Sequence, residues 1–318
     1  MTNPVIGKIR EIIDQCQTEN PCALDIRYDE PMREHTTFKV GGPADCWLCP
    51  RGDGFPAFCA AMLSRISDIP VFILGGGANV VVSDRGIRGI VLDTSAWKGE
   101  TVTGTGLSFR SGTSLDEAAE IAAAAGFSGL EFLAGMPGSI GGAVWMNARC
   151  YGREIADVLT ETEIIDFSEG GAARHLHLPM DSGGFGYKRS PFQGKKNVII
   201  SASFKLKSGN ENEIRGEMEK NRDDRKAKGH YLFPCAGSVF KNNTDFGKPT
   251  GQIIDELGLR GFTVGGAQAA PFHGNIIINT GGASAEDIRS LTDEIAARVK
   301  ERTGFILEPE ILFAGEWH

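Results

Sequence analysis

Three consecutive glycines, Gly75, Gly76 and Gly77, stand between the apolar runs "PVFIL" and "NVVV". A second cluster, Gly135, Gly138, Gly141 and Gly142, surrounds Pro137 and Ser139 in "LEFLAGMPGSIGGAVWMNA". These two loops constrain the chain more than any other feature. The apolar runs around the first loop read as strands separated by tight turns. A strand therefore follows the first loop where a Rossmann fingerprint would need a helix, and that fold is excluded. Adjacent glycines free several backbone N–H groups to form an anion nest. The second loop can run into a helix, whose partial positive end favours a pyrophosphate. Turns that need positive φ would explain either loop alone. Two such loops in one non-Rossmann half point to a bound dinucleotide.

The rest of the chain reads as mixed α and β. "PVIGKIREIIDQCQ" spaces Ile6, Ile9, Ile13 and Cys16 along one face of a surface helix. "SLDEAAEIAAAAG" predicts a helix opened by a capping box, Ser114 with Glu117, and stopped at Gly126. From about residue 208 the charged stretch "NENEIRGEMEKNRDDRKAKG" reads as an exposed helix that opens a new domain. "KPTGQIIDELGLRG" follows as a helix with Pro249 near its first turn and Gly258 near its end. "GNIIINTGGASAEDIRSLTDEIAARVKERTG" is a strand, turn and helix, and "FILEPEILFAG" a last strand. The chain is long enough, at 318 residues with 41% hydrophobic composition, for two or three domains with their own cores.

Other function classes are disfavoured. A formal net charge of −8 does not suit a nucleic-acid partner, which needs a basic face. The N-terminal segment lacks the apolar core of a signal peptide and no run of about 18 apolar residues occurs, so no membrane association and a cytoplasmic location are expected. Seven cysteines fit a reducing compartment. "CWLC", Cys46 to Cys49, has strand-like composition ending at Pro50, with no second pair for zinc and no helix for a redox pair, so packing is expected. His175 and His177 in "RHLHLP" would share one strand face, but the sequence offers no further ligand and no metal is expected.

The segments "TTFKVGGPAD", "LGGGANVVVSD", "GLEFLAGMPGSIGGAVWMNA", "AGSVFKN" and "LEPEILFAG" occur in the order seen in the UDP-N-acetylenolpyruvoylglucosamine reductase (MurB) family, which the chain resembles over about residues 35–315. The resemblance implies an α+β flavoenzyme of peptidoglycan precursor synthesis. It would have a two-subdomain FAD-binding fold of the vanillyl-alcohol-oxidase (PCMH) type, 1–94 and 95–207, and a C-terminal α/β substrate-binding domain, 208–318. Non-covalent FAD and NADPH are the implied cofactors, and a UDP-sugar enolpyruvyl ether the implied substrate. A monomer or weak dimer is expected. The resemblance implies FAD contacts at Gly41, Gly42, Gly75, Gly76, Gly77, Ala78, Asn79, Gly135, Pro137, Gly138, Ser139, Gly141 and Gly142.

The resemblance also implies roles for single residues. Ser238 matches the family's proton donor and Glu310 its partner carboxylate. The family's carboxylate-binding arginine falls on Lys188 in "GYKRSPF", with Arg189 next to it. A lysine keeps the charge without the bidentate fork, and neighbours in an extended segment face opposite ways. Either Lys188 acts as a point charge or a bulge turns Arg189 inward, and Lys188 is the favoured reading. Tyr151, Tyr187, Lys241, Asn242 and His273 match substrate-contacting positions, although a satisfied loop histidine explains His273 equally well. Only "QGKK" separates "YKRSPF" from the next strand, which suits the shorter type of reductase without a tyrosine loop. Two alternatives share the motifs: an FAD oxidase of the same fold acting on an alcohol or lactone, and a non-catalytic UDP-sugar or flavin-binding protein. The first often attaches flavin through a histidine near the first glycine loop, and "GGGANVVVSD" contains none; the second is opposed by the presence of both Ser238 and Glu310.

Overall fold

The computed structural model describes residues 4–66, 68–104, 106–168 and 171–317, and the chain divides into two units interleaved along the sequence. Unit 1 comprises Met1–Tyr28, Asp45–Gly76 and Gly89–Arg222, and unit 2 comprises Asp29–Ala44, Gly77–Arg88 and Asp223–His318. The sequence divides at 94 and 207, whereas 29–44 and 77–88 cluster here with the C-terminal segment.

In unit 1, helix α1 (Pro4–Glu19) buries Ile9, Ile12, Ile13 and Cys16, with Ile12 in place of Ile6 on the inner face. It shares a core with Phe55, Phe58, Cys59 and Met62 of α2 (Phe55–Arg65), and with Cys46 and Leu48 of the strand Pro43–Arg51. Burial pushes the Cys46 thiol up to about 12, so these cysteines pack rather than react. That strand lies in a four-stranded sheet ordered Ala23–Pro31, Pro43–Arg51, Ile87–Asp93, Val71–Leu74. The last two strands are parallel, so Gly75 leaves the sheet at a strand's C-terminal end.

A five-stranded antiparallel sheet runs Arg174–Pro179, Leu159–Asp166, Asn197–Lys205, Gly106–Arg110, Glu100–Thr103. Helix α3 (Leu115–Ala124) lays Ala118, Ala119, Ala122 and Ala123 into the core that includes this sheet's Phe109 and Phe204. Ser114 Oγ accepts the Glu117 N–H as expected, and the Glu117 carboxylate turns back to Ser114 while also pairing with Lys98. Helix α4 (Ile140–Met146) adds Ile140, Ala143 and Val144 to the same core. Helix α5 (Glu211–Ala227) is less exposed than its charge suggests, since Ile214 and Met218 are buried in that core.

Unit 2 is built on a four-stranded antiparallel sheet ordered Cys235–Ser238, Ile276–Asn279, Ala267–Ala269, Thr263–Val264. Helix α6 (Thr250–Glu256) follows Pro249, and Gly258 adopts a left-handed φ of 69° just after it. Helix α7 (Ala285–Thr303) has a full capping box, Ser284 with Asp287, and ends on Gly304 at φ 77°. Its Ile288, Leu291, Ile295 and Val299 share a core with Ile253, Ile254, Phe38 and Val81. Of the expected last strand only Leu312–Ala314 is regular, paired in parallel with Val80–Val82. No helix of the described residues is long and apolar enough to cross a membrane.

Candidate active site

Unit 1 brings the two glycine loops into contact. A Cβ built on Gly75 would lie 2.5 Å from Ser139 Oγ, and one on Gly76 would lie 2.7 Å from Gly138 Cα. Only glycine permits this approach, because a methyl group needs more than 3 Å from backbone carbon. Ser139 Oγ locks the contact by accepting from Gly76 N–H at 3.3 Å and from Gly142 N–H at 3.4 Å, the second bond also capping α4. Gly141 rests on Ser111, whose carbonyl accepts its N–H at 2.8 Å, and Gly135 N–H donates to Asp116 Oδ1 at 2.8 Å. Pro137 is exposed at the tip of the loop.

Two observations fit these loops to a bound polar group. Among the described residues the N–H of Gly138, at φ 121°, donates to none and Ser111 Oγ, buried beside Gly141, has no partner. Backbone donors and a hydroxyl with no protein acceptor suit phosphate oxygens, and a side chain at Gly75 or Gly76 would fill the cradle. The sequence reading missed Ser111. Its only signal is the small-residue stretch "RSGTS" before α3.

The same short helix that begins at Ser139 ends by holding Lys188. Asn147 terminates α4 in a left-handed conformation, φ 47°. Its Nδ2 donates to Gly186 O at 2.9 Å and its Oδ1 accepts from Ala156 N–H at 3.0 Å. Ser190 Oγ donates to Trp145 O at 2.6 Å, and Gln193 Nε2 donates to both Trp145 O and Lys188 O. Gly186 and Arg189 exchange two backbone hydrogen bonds at 3.0 Å, closing a β-turn with Tyr187 and Lys188 at its centre. The expected extended segment is therefore a tight turn, and side-chain alternation does not decide between the two cations. Lys188 sits at φ 55°, a conformation that costs a non-glycine residue about 1–2 kcal/mol. It is half-buried, while Arg189 is exposed with its guanidinium folded over Gly186.

Tyr151 also has a positive φ, 52°, and its hydroxyl donates to Asn221 O at 2.9 Å. Asn221 in turn donates to Glu131 O at 3.0 Å. Tyr187 lies 5.7 Å from the Arg149 guanidinium carbon. These tyrosines are 40% exposed, so both keep aromatic surface available to a ligand.

In unit 2 the remaining candidates gather around one distorted strand. Pairing runs Cys235↔Ile278 and Ser238↔Ile276, so the Cys235–Ser238 strand carries one extra residue, a bulge. Gly237 absorbs it at φ 72°. The buried Asn275 then fixes the chain beyond: its Oδ1 accepts from Phe240 N–H at 2.9 Å and its Nδ2 donates to Phe240 O at 2.8 Å. Ser238 is half-buried, and its hydroxyl makes no hydrogen bond to a described residue. Glu310 N–H donates to Val239 O at 2.7 Å and Lys241 N–H to Glu308 O at 2.9 Å, so the segment carrying Ser238 is stitched to the one carrying Glu310. Asn275 is a further residue the sequence reading missed, because an asparagine after "FHG" looks like any turn residue.

Lys241 pairs with Glu308, and Asn242 Oδ1 accepts from Thr250 N–H at 2.9 Å at the start of α6. His273 Nδ1 accepts from Asn275 N–H at 3.1 Å, and burial holds its pKa below the ordinary range. It is thus a neutral, locally satisfied ring that supports Asn275. The first glycine loop continues into this unit. Gly77, at φ 61°, presses on His35 O and accepts from Thr37 N–H at 3.0 Å, while the Ala78 N–H donates to no described residue. Gly41 and Gly42 pack against Val82 and Asp84, with a built Cβ on Gly42 only 2.0 Å from Asp84 O. Cys235 is held as a thiol by burial.

Residues 60–175 match the family described as FAD binding domain, and residues 228–314 the family described as UDP-N-acetylenolpyruvoylglucosamine reductase, C-terminal domain. The UDP-N-acetylenolpyruvoylglucosamine reductase of Treponema denticola is 38% identical over 306 residues, covering 92% of this chain and 94% of that one. The Caldanaerobacter subterraneus reductase is 37% identical over 316 residues, covering 99% of this chain and 100% of its own. The solved structure of UDP-N-acetylenolpyruvylglucosamine reductase (MurB) from Thermus caldophilus is similar with a TM-score of 0.73 at 31% identity, covering 92% of this chain and 99% of that chain.

Proposed function

The chain belongs to the UDP-N-acetylenolpyruvoylglucosamine reductase family, and from that premise we propose which of its residues carry the reaction. It is an NADPH-dependent flavoenzyme that reduces the enolpyruvyl group of UDP-N-acetylglucosamine enolpyruvate to give UDP-N-acetylmuramate for peptidoglycan synthesis. The chemistry that FAD would supply here, held by the two glycine loops, is hydride donation to the terminal enolpyruvyl carbon, with NADPH as the source of the electrons. That addition leaves negative charge on the adjacent carbon, delocalised into the attached carboxylate. The protein must stabilise this charge and deliver a proton to the carbon from one face.

Ser238 is the proton donor on this reading. The observation that carries it is a half-buried hydroxyl without a partner among the described residues, set on a bulge whose following residues are fixed by Asn275. A rigid main chain with an uncommitted hydroxyl suits a group that must meet a carbon at one angle. Glu310 supplies the carboxylate that orients or relays this proton. Lys188 neutralises the substrate carboxylate, with its backbone strain held by Asn147 and Gln193. Gly75, Gly76, Gly138 and Ser139 hold the FAD pyrophosphate. Gly41, Gly42, Gly77, Ala78, Asn79, Gly135, Pro137, Gly141 and Gly142 shape the two loops, and Tyr151, Tyr187, Lys241 and Asn242 face the UDP-sugar. The three-part division at 94 and 207, a cytoplasmic location and a monomer or weak dimer belong to the same reading.

The test is a two-step assay on the yellow holoenzyme. Ser238→Ala is expected to keep flavin reduction by NADPH while slowing reoxidation by the enolpyruvyl substrate by about 10²–10⁴-fold, the usual contribution of a positioned acid. Reoxidation at the parent rate would remove Ser238 from the mechanism.

A further inference from the structure

His175 and His177 lie on Arg174–Pro179, the edge strand of the five-stranded sheet. Strand alternation puts both imidazoles on one face, with ring centroids 5.7 Å apart and planes at 28°. The neighbouring strand, Leu159–Asp166, runs antiparallel with Glu163 directly opposite His177. Glu163 Oε1 lies 2.5 Å from His175 Nε2. One donor atom from each of Glu163, His175 and His177 lies within 4.8 Å of the others. The third ligand that the local sequence lacks is thus supplied by cross-strand register.

We propose that Glu163, His175 and His177 form a binding site for a divalent transition ion of the zinc type, made of none of the residues assigned to the reductase reaction and independent of that reading. Two imidazoles and one carboxylate make a donor set suited to Zn²⁺ or Co²⁺, whereas Mg²⁺ and Ca²⁺ prefer oxygen alone. Tetrahedral metal bonds of about 2.0–2.2 Å set donor atoms roughly 3.3–3.6 Å apart, so the 2.5 Å contact between Glu163 and His175 must open while wider separations close. The side chains that must move have room, since those of His175 and His177 are 43% and 62% exposed.

Flanking groups orient the ligands. Ser201 Oγ, on the next strand inward, donates to Glu163 Oε2 at 2.5 Å and so directs Oε1 toward the histidines. Glu161 Oε1 lies 3.3 Å from His177 Nδ1 and fixes that ring. Such second partners set ligand orientation and typically carry 10–100-fold in affinity, by about the same reasoning that applies to other metal–histidine sites. The bound ion would tie the edge strand to its neighbour.

The experiment is titration of the chelator-treated full-length holoenzyme with Co²⁺, followed by d–d absorbance, with Zn²⁺ in competition. One saturable equivalent is expected, without the thiolate charge-transfer band that cysteine ligation gives. His177→Ala and Glu163→Gln should each weaken binding at least tenfold, Ser201→Ala by about tenfold, and all should keep the parent's flavin content and NADPH turnover. Absence of saturable binding, a thiolate band, or unchanged affinity in a His175→Gln/His177→Gln variant of parental flavin content would each overturn the proposal.

Discussion

Asn79 Nδ2 donates to the carbonyl oxygen of Glu310 at 3.0 Å, and the Asn79 carbonyl accepts from Leu312 N–H at 3.0 Å. The end of the first glycine loop thereby fixes the main chain that carries the proposed carboxylate, across 231 residues of sequence. The bracket is possible because Val80–Val82 and Leu312–Ala314 pair in parallel immediately beyond it. Asn79→Ala removes the side-chain half of this bracket and leaves the Glu310 carbonyl without that donor. The expected cost is about 1–3 kcal/mol, read from urea midpoints at constant m-value. Reoxidation by substrate should slow more than reduction by NADPH, because the bond lost is the one that holds the Glu310 segment.

Gly76→Ala places a methyl carbon 2.7 Å from Gly138 Cα. Both partners are backbone, so one loop must move, at a cost of about 1–3 kcal/mol typical of overpacking. The expected result is a protein that folds but purifies with much less flavin, measured by its visible absorbance relative to 280 nm absorbance. Full flavin content would show that the loop contact does not shape the cradle.

Lys188 allows its charge to be separated from its backbone strain. Lys188→Gly relieves the left-handed conformation at φ 55° and should hold or raise the melting temperature, by roughly the 1 kcal/mol such a site costs a side chain. If Lys188 binds the substrate carboxylate, the same variant loses kcat/KM for the enolpyruvyl substrate by at least 100-fold. Arg189→Ala should change both quantities little, and the opposite ranking would transfer the role to Arg189.

Burial lowers the pKa of His230 from 6.5 to about 4, with Arg225 adding to the effect. Between these values the unfolded chain binds a proton that the folded one excludes, so stability is lost as pH falls from about 6.5 to about 4. Burial depresses His273 in the same direction, and the two rings lie 6.4 Å apart. His230→Phe should flatten the acid side of the urea-midpoint profile in that window. A profile as steep as the parent's would place the proton uptake elsewhere.

Much of this protein is written in local chemistry that the sequence by itself determines. Ser114, Ser284, Gly126 and Gly304 mark helix ends because caps and left-handed stops act within a few residues. The glycine loops are legible for the same reason: backbone can approach backbone only where Cβ is missing, as at Gly76 and Gly42. The motif order was sufficient to identify the family. Tertiary structure alone decided what depends on partners far along the chain. It turned "GYKRSP" from a strand into a strained turn, because Asn147, Ser190 and Gln193 bind its carbonyls and the end of α4. It joined 29–44 and 77–88 to the C-terminal segment, because Val80–Val82 finds its strand partner at Leu312–Ala314. It also set Glu163 opposite His177, a juxtaposition fixed by register between strands and therefore absent from any spacing within "RHLHLP".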